Sequence, residues 1–288
     1  MSEADDALLA RPIIIIGAPR SGTSLLLEVL GSHPRLAVLS EPRITWRFGN
    51  DRKSDLLRPE DARPAVRDHI RRRFAAMVRE QGAERILEKT PSNALRPGFV
   101  DQVFPDCLFL NVTRHGVDAS LSIRDAWQRR AGVRGVRRRR WMIRLREIDL
   151  RQLPRYGLEL LRRALPGLVG RGDWGPRLPG MQALMRELDP LELACLQWRM
   201  CTEIACQYGR RLPRGRYLEL RLEDLTPERL REILAFCGLD DAPEVWESFR
   251  RHFDASQASR RRAQVDPAER ERILTWIEPT LRWLGYEL

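Results

Sequence analysis

Residues 13–24 decide the fold of this 288-residue chain, and they read Ile13-Ile14-Ile15-Ile16-Gly17-Ala18-Pro19-Arg20-Ser21-Gly22-Thr23-Ser24. Four consecutive β-branched residues favour a strand buried on both faces, as in a parallel sheet. The two glycines allow a tight turn whose backbone N–H groups point inward. The run Ser24–Leu30 has helical periodicity, so the loop leads into a helix N-terminus, which favours bound anions. The stretch therefore predicts a strand, a phosphate-binding loop and a helix.

The loop is similar in spacing to the nucleotide-binding pattern G-x-x-x-x-G-K-[ST], with one departure. Thr23 occupies the position of the lysine that reaches the β- and γ-phosphates of a nucleoside triphosphate. We therefore expect the loop to bind phosphate without hydrolysing a nucleotide. An ordinary strand–turn–helix connection is the alternative interpretation. The predicted binding residues are Gly17, Pro19, Arg20, Ser21, Gly22, Thr23 and Ser24.

A second segment repeats this arrangement. Cys107–Val112 reads as another buried strand, and a helix is predicted from Val117 to about Arg129. Arg114 follows the strand, and Ser122 lies eight residues further along the chain. With Arg114 at the strand end and Ser122 two helical turns later, both side chains can contact one anion beside the first loop.

Together these residues resemble the sulfotransferases that use 3′-phosphoadenosine 5′-phosphosulfate (PAPS). In that family a G-x-P-R-S-G-T-[ST] loop holds the 5′-phosphosulfate, as residues 17–24 would here, and an arginine with a serine eight residues later holds the 3′-phosphate. Arg114 and Ser122 match that pair, within a segment similar to R-D-G-R-D-V-A-L-S that departs at His115 and Val117. The resemblance implies a P-loop-NTPase-like α/β fold, three layers α/β/α with a central parallel sheet of about five strands. It also implies PAPS as co-substrate, 3′,5′-adenosine bisphosphate as product, and no metal.

Two further segments extend the resemblance to the chemistry. Glu41 follows a predicted strand over Leu36–Leu39, and in some branches of the family a glutamate near this position is the base. Lys89 begins a Lys-Thr-Pro segment that in the family faces the sulfuryl group. The resemblance implies that Glu41 accepts the acceptor proton, while Lys89 and Arg20 stabilise the charge that develops during in-line transfer.

Other roles for these residues stay open at this point. Lys89 is one of only two lysines among 51 basic residues, which favours a specific need for an ammonium group at this position. The alternative is that Lys89 is a solvated cation beside Glu88. Glu41 could be a turn residue before a proline. His33 and His115 are rival bases, because small-molecule sulfotransferases that the chain also resembles use a histidine.

The remainder of the chain alternates helices with one more strand. One helix is predicted over Asp189–Arg210, followed by a strand at Arg216–Arg221. A second helix is predicted to begin after Thr226, its N-cap, and a third from about Asp266. Residues 256–262 occupy the place of a basic loop that closes over the nucleotide in the family. One arginine of that loop is predicted to contact the 3′-phosphate; the candidates are Arg260, Arg261 and Arg262.

Composition favours a single enzyme domain over residues 1–288. The apolar content is 43%, which is sufficient for a full core. The acidic N-terminus is unlike a signal peptide, so we expect a cytoplasmic protein, and the arginine bias is typical of a GC-rich bacterial source. The five cysteines include no C-x-x-C pair and are predicted to be reduced packing residues.

The middle segment, residues 131–188, is predicted to be a helical insertion that determines acceptor specificity. It carries four consecutive arginines, Arg137–Arg140, preceded by Arg134. A solvated arginine face is one interpretation; an anionic or lipid-linked acceptor, or peripheral contact with an acidic membrane, is the other. The acceptor could be a glycan, a lipid, a peptide or a secondary metabolite. The sequence does not indicate an oligomeric state.

The net charge of +11 is also compatible with other classes of protein. A nucleic-acid-binding protein would be basic, but the arginines are spread along the chain without a recognised reading motif, so no nucleic-acid partner is expected. A small-molecule or nucleoside kinase would share the phosphate loop, yet the lysine and a metal-binding aspartate are missing at the expected places. Sulfuryl transfer from PAPS is therefore the preferred interpretation.

Overall fold

The computed structural model describes residues 3–132 and 175–288. Its centre is a parallel sheet of five strands in the order β2-β3-β1-β4-β5. This confirms the predicted α/β class with a central parallel sheet. The strands are β1 (Ile13–Ile16), β2 (Leu36–Ser40), β3 (Arg85–Lys89), β4 (Leu108–Thr113) and β5 (Tyr217–Arg221).

Helices cover both faces of the sheet within the described residues. They are α1 (Glu3–Leu8), α2 (Thr23–Leu30), α3 (Arg43–Arg47), α4 (Pro64–Gln81), α5 (Pro97–Val103), α6 (Gly116–Gly132), α7 (Met181–Glu187), α8 (Pro190–Gly209), α9 (Pro227–Cys237), α10 (Pro243–His252), α11 (Ser256–Ser259) and α12 (Pro267–Trp283). Short 3₁₀ turns at Pro59–Asp61, Pro91–Leu95 and Leu222–Asp224 complete the connections.

The central strand β1 is buried on both faces, as its four isoleucines predict. Ile13 and Ile15 belong to the core between the sheet and the layer of α2, α9 and α10. Ile14 and Ile16 belong to the larger core on the other face, which includes Trp46 of α3 and residues of α4, α5, α6, α8 and α12. All four isoleucines are fully buried, so the period-two alternation of the strand divides one apolar run between two cores.

The helix starts follow the capping rules used on the sequence. The Thr226 hydroxyl accepts a hydrogen bond from the Arg229 amide at 3.2 Å, and Pro227 occupies the first position of α9. Asp189 caps α8 in the same manner. These side chains satisfy N–H groups that a helix start leaves without intrahelical partners, which confirms the predicted helix starts.

The five cysteines are all free and buried, as predicted. No helix among the described residues is long and apolar enough to cross a membrane. Most of the predicted insertion at 131–188 lies outside the described residues, together with the arginines at 134 and 137–140; α7 belongs to its described end.

Candidate active site

The predicted phosphate-binding loop lies at the carboxyl end of β1, between the sheet and the N-terminus of α2. Gly17 has φ +149°, and a Cβ there would lie 2.3 Å from the carbonyl oxygen of Val112 in the neighbouring strand β4. Gly22 has φ +92° and is the N-cap of α2. A Cβ at Gly22 would lie 2.6 Å from Leu222 Cδ1, so glycine is favoured at both positions by close contact and by a positive φ. The first-turn N–H groups of α2 are therefore exposed to a bound anion.

A cavity of about 500 Å³ opens above this loop. That volume is within the range of small-molecule binding sites. Residues from the loop, from β2 and β3, and from the C-terminal part of the chain meet there. The lining consists of Pro19, Arg20, Gly22, Thr23, Ser24, Leu25, Glu41, Arg43, Lys89, Pro91, Arg114, Gly175, Leu222, His252, Phe253, Asp254, Gln257 and Ala258.

Glu41 and Lys89 form an ion pair in the wall of this cavity. Strands β2 and β3 are neighbours with Ser40 opposite Lys89, so Glu41 directly follows the last paired residue. The Glu41 amide donates to the Lys89 carbonyl at 2.9 Å, and Lys89 Nζ donates to Glu41 Oε1 at 2.8 Å. Lys89 is only 3% exposed, which excludes the solvated cation beside Glu88 that the sequence left open.

The second oxygen of the Glu41 carboxylate is held by Arg43. Arg43 Nη2 lies 2.7 Å from Glu41 Oε2, and the Arg43 amide donates to the Glu41 carbonyl at 2.7 Å. Burial by itself would raise the pKa of Glu41, but Arg43 and Lys89 outweigh it and lower the pKa to about 2. The carboxylate is therefore ionised throughout the physiological range.

Glu88 points away from Lys89 and into the core on the other face of the sheet. It accepts hydrogen bonds from Trp46 Nε1 at 2.9 Å, from Asn93 Nδ2 at 3.0 Å and from the Thr90 hydroxyl. Complete burial raises the pKa of Glu88 to about 7, although these donors act in the opposite direction. Glu88 therefore lies in the core and Lys89 in the cavity wall, because successive side chains of a strand face opposite sides of the sheet.

Arg114 and Ser122 meet at the opposite side of the loop, linked by Arg20. Arg20 Nε donates to Ser122 Oγ at 2.9 Å, and Arg114 Nη1 donates to the Arg20 carbonyl at 3.1 Å. Arg114 also donates to the carbonyls of Gln257 and Ala258, at 2.6 and 3.0 Å. The predicted 3′-phosphate pair therefore lies beside the predicted phosphosulfate loop, and the Arg20 side chain extends toward that pair.

Among the three C-terminal arginines, Arg261 is the one coupled to this cluster. Burial lowers the pKa of Arg20, and the positive charges of Arg129 and Arg261 lower it further. Burial also lowers the pKa of Arg114, with Arg261 and Arg20 acting in the same direction. The Arg261 amide is held at 2.9 Å by Asp118 of α6. Converging guanidinium groups of this kind suit a doubly charged phosphate.

Neither histidine that competed with Glu41 lines the cavity. His115 is buried; its Nδ1 accepts from the Val117 amide at 3.3 Å and its Nε2 lies 2.9 Å from the Glu287 carbonyl. Burial lowers the pKa of His115. His33 is buried as well, and its Nδ1 accepts from the Arg35 amide. Of the three candidates for the base that the sequence offered, Glu41 is therefore the one that lines the cavity.

Several lining residues were not predicted from the sequence. Arg43 could have been found as a cation two residues after Glu41, across the turn at Pro42. Gly175 and residues 252–254 carry no local signal, because long-range packing alone brings them to the cavity. Gln257 and Ala258 belong to the loop at 256–262 that the resemblance had placed over the nucleotide. The described residues contain no cluster of three or more histidine, cysteine or acidic side chains arranged to hold a metal ion.

Comparison with known proteins gives one family. A sequence profile described as "Sulfotransferase family" matches residues 12–157. The sulfotransferase domain from the Synechococcus PCC 7002 olefin synthase is similar in structure, with a TM-score of 0.56 and 16% identity over 97% of each chain. The sulfotransferase domain from the curacin biosynthetic pathway has a TM-score of 0.58 and 16% identity, over 97% of this chain and 99% of that chain.

A third structure is sulfotransferase STF9 from Mycobacterium avium, with a TM-score of 0.53 and 15% identity over 99% of this chain and 80% of that chain. A search of curated protein sequences finds no significant match. At identities this low the structural likeness shows a shared fold.

Proposed function

The chain belongs to the sulfotransferase family, and from this premise we propose that it transfers a sulfuryl group from PAPS to a hydroxyl or amine, with Glu41 as general base. The observation that carries the proposal is the composition of one cavity. Its wall combines the loop at Gly22–Ser24 with a buried Lys89 and an ionised carboxylate. A base and a cation beside an anion-binding loop are what in-line transfer between two oxygens requires.

The donor fits the residues that surround the loop. Thr23 and Ser24 line the cavity at the start of α2, where the helix N-terminus and their hydroxyl groups would bind the phosphosulfate oxygens. Arg20, Arg114 and Ser122 would bind the 3′-phosphate, and Arg261 is the C-terminal arginine we propose to join them. PAPS supplies an activated sulfuryl group on a 5′-phosphate leaving group.

In the proposed reaction the acceptor oxygen attacks sulfur while Glu41 takes the acceptor proton. A bond forms between the acceptor oxygen and sulfur, and the bond from sulfur to the bridging oxygen breaks. The electron pair of that bond leaves with the 5′-phosphate of the bisphosphate. Lys89 and the N–H groups of the loop would stabilise the charge that develops on the leaving oxygen.

The acceptor remains the least defined part of the proposal. We propose that the chain is a single domain in which residues 131–188 contribute acceptor specificity, because Gly175 of this segment lies in the cavity wall. The arginines at 134 and 137–140 favour an anionic acceptor or one attached to a lipid.

The donor site is tested by calorimetric titration with 3′,5′-adenosine bisphosphate and, separately, with ATP and Mg²⁺. We expect tight binding of the bisphosphate and little response to ATP. The double variant Arg114→Ala with Ser122→Ala should bind at least about tenfold more weakly, because it loses charge-assisted hydrogen bonds.

Arg282→Ala is the matched control, since this arginine has a mostly exposed side chain on α12 and pairs with Glu278. Because Arg114 also holds the chain at Gln257, the single variant Ser122→Ala and the melting temperature without ligand separate binding from folding. Preferential binding of ATP, or no binding of either nucleotide by the wild type, would contradict a PAPS site.

A further inference from the structure

The carboxylate of Glu41 is held by two cations, one on each oxygen. Lys89 Nζ contacts Oε1 at 2.8 Å, and Arg43 Nη2 contacts Oε2 at 2.7 Å. The backbone adds two more constraints, because the Glu41 amide donates to Lys89 and the Glu41 carbonyl accepts from Arg43. Lys89 comes from β3 and Arg43 from α3, so two different elements converge on one side chain.

The two cations cannot have the same role during sulfuryl transfer. Under the proposed function, Lys89 also serves the sulfuryl group and its leaving oxygen. An ammonium shared with those oxygens stabilises the Glu41 carboxylate less. Arg43 has a different position, because its contact is to the other carboxylate oxygen and it is the first residue of α3. It can retain Glu41 while Lys89 engages the donor.

We infer that Arg43 is a positioning residue for the reaction: it keeps the Glu41 carboxylate ionised and oriented, with Oε1 free to take the acceptor proton once Lys89 is engaged by the donor. This inference rests on the proposed function. Without Arg43, the carboxylate would keep only the cation that the donor also engages, so its pKa would rise and its orientation would no longer be fixed.

Other charged groups line the same cavity. Arg20 and Arg114 lie on the side of the loop, and His252 and Asp254 lie at the end of α10. The contacts to the carboxylate oxygens themselves come from Arg43 and Lys89. The expected effect of Arg43 is therefore local and measurable at Glu41.

The test reads the protonation of Glu41 directly. Protein labelled with ¹³C at the glutamate side-chain carboxyl is titrated by NMR, and the Glu41 signal is assigned by its absence in Glu41→Gln. In Arg43→Gln the proton affinity of Glu41 should rise at least about tenfold, because an opposite charge in contact is removed. Arg43→Lys should restore most of the wild-type behaviour.

Arg282→Gln removes the same charge from an exposed pair on α12 and should leave the Glu41 titration unchanged. The rate of bisphosphate release from PAPS, with water as acceptor, should decrease at low pH as Glu41 becomes protonated. This decrease should occur at higher pH in Arg43→Gln alone. An unchanged Glu41 titration in a folded Arg43→Gln protein would overturn the inference, even if that protein still binds the bisphosphate. If the wild type fails to bind the bisphosphate, the proposed function fails instead, and the titration still decides whether Arg43 controls Glu41.

Discussion

Two residues of the site have backbone conformations that side chains usually avoid. Glu41 has φ +57° and Arg20 has φ +67°; among the described non-glycine residues, Arg11 alone shares a positive φ. Such conformations cost about 1–2 kcal/mol per residue and persist where surrounding contacts over-determine them. At Glu41 those contacts are the backbone bonds to Lys89 and Arg43, which direct the carboxylate into the cavity.

Replacement of Glu41 by glutamine should remove the base and leave donor binding intact. Glutamine keeps the shape but cannot take a proton, so the rate of 3′,5′-adenosine bisphosphate formation from PAPS should fall by about 10²–10⁴-fold. Calorimetry should give the wild-type affinity for the bisphosphate. Glu278→Gln, at an exposed side chain of α12, is the matched control. A Glu41→Gln protein with the wild-type rate would remove Glu41 from the mechanism.

The elements around the cavity are connected by a fully buried carboxylate, Asp55. Asp55 Oδ2 accepts from the Arg177 amide and from the Ser92 hydroxyl, both at 2.8 Å, and the Asp55 amide donates to the Arg177 carbonyl at 2.8 Å. Arg47 forms hydrogen bonds to both carboxylate oxygens. Asp55 therefore attaches the segment after Gly175 to the cavity wall that contains Pro91.

Asp55→Asn should destabilise the protein by about 3 kcal/mol or more, because buried arginines lose their counter-charge. Burial alone would raise the pKa of Asp55, but Arg47 and Arg96 outweigh it and hold the pKa well below its usual range. Urea denaturation at pH 7 measures the loss. Asp240→Asn, at a mostly exposed side chain, should leave the urea midpoint unchanged. Equal midpoints for all three proteins would show that the Asp55 cluster is energetically neutral.

At the scale of the whole molecule, buried carboxyl groups make stability depend on pH in opposite directions. Glu41 and Asp55 have lowered pKa values. Their contribution to the free energy of unfolding is therefore present above pH 4.5 and decreases as the pH falls. Glu88 has a raised pKa of about 7, so its contribution is present below about pH 4.5 and is lost as the pH rises through 7.

Glu88→Gln should reveal this opposite dependence. Between pH 5 and pH 8 the wild type should lose roughly 2–3 kcal/mol of unfolding free energy that the variant keeps, as expected for a pKa displaced to about 7. Urea unfolding curves at several pH values, measured on both proteins in the same buffers, provide the comparison. Parallel stability curves across this interval would mean that Glu88 does not change protonation there.

The sequence alone determined the local features of the protein. The four isoleucines predicted β1, the spacing of Gly17 and Gly22 predicted a tight turn from β1 into α2, and Thr226 predicted the start of α9; each is confirmed by the structure. That the turn binds a phosphate stays a prediction. These features depend on backbone conformation and periodicity within a few residues. The predicted roles of Glu41 and Lys89 stay predictions, although the two residues do meet.

Only the tertiary structure decided the strand order and the partners of the charged side chains. Lys89 pairs with Glu41 because β2 and β3 are neighbours, although 48 residues separate the two in sequence. Arg114 is held by the carbonyl of Ala258, which is 144 residues away. A buried charge pairs with a group that the packed sheet and helices bring within hydrogen-bond distance. Which groups come that close depends on the whole fold.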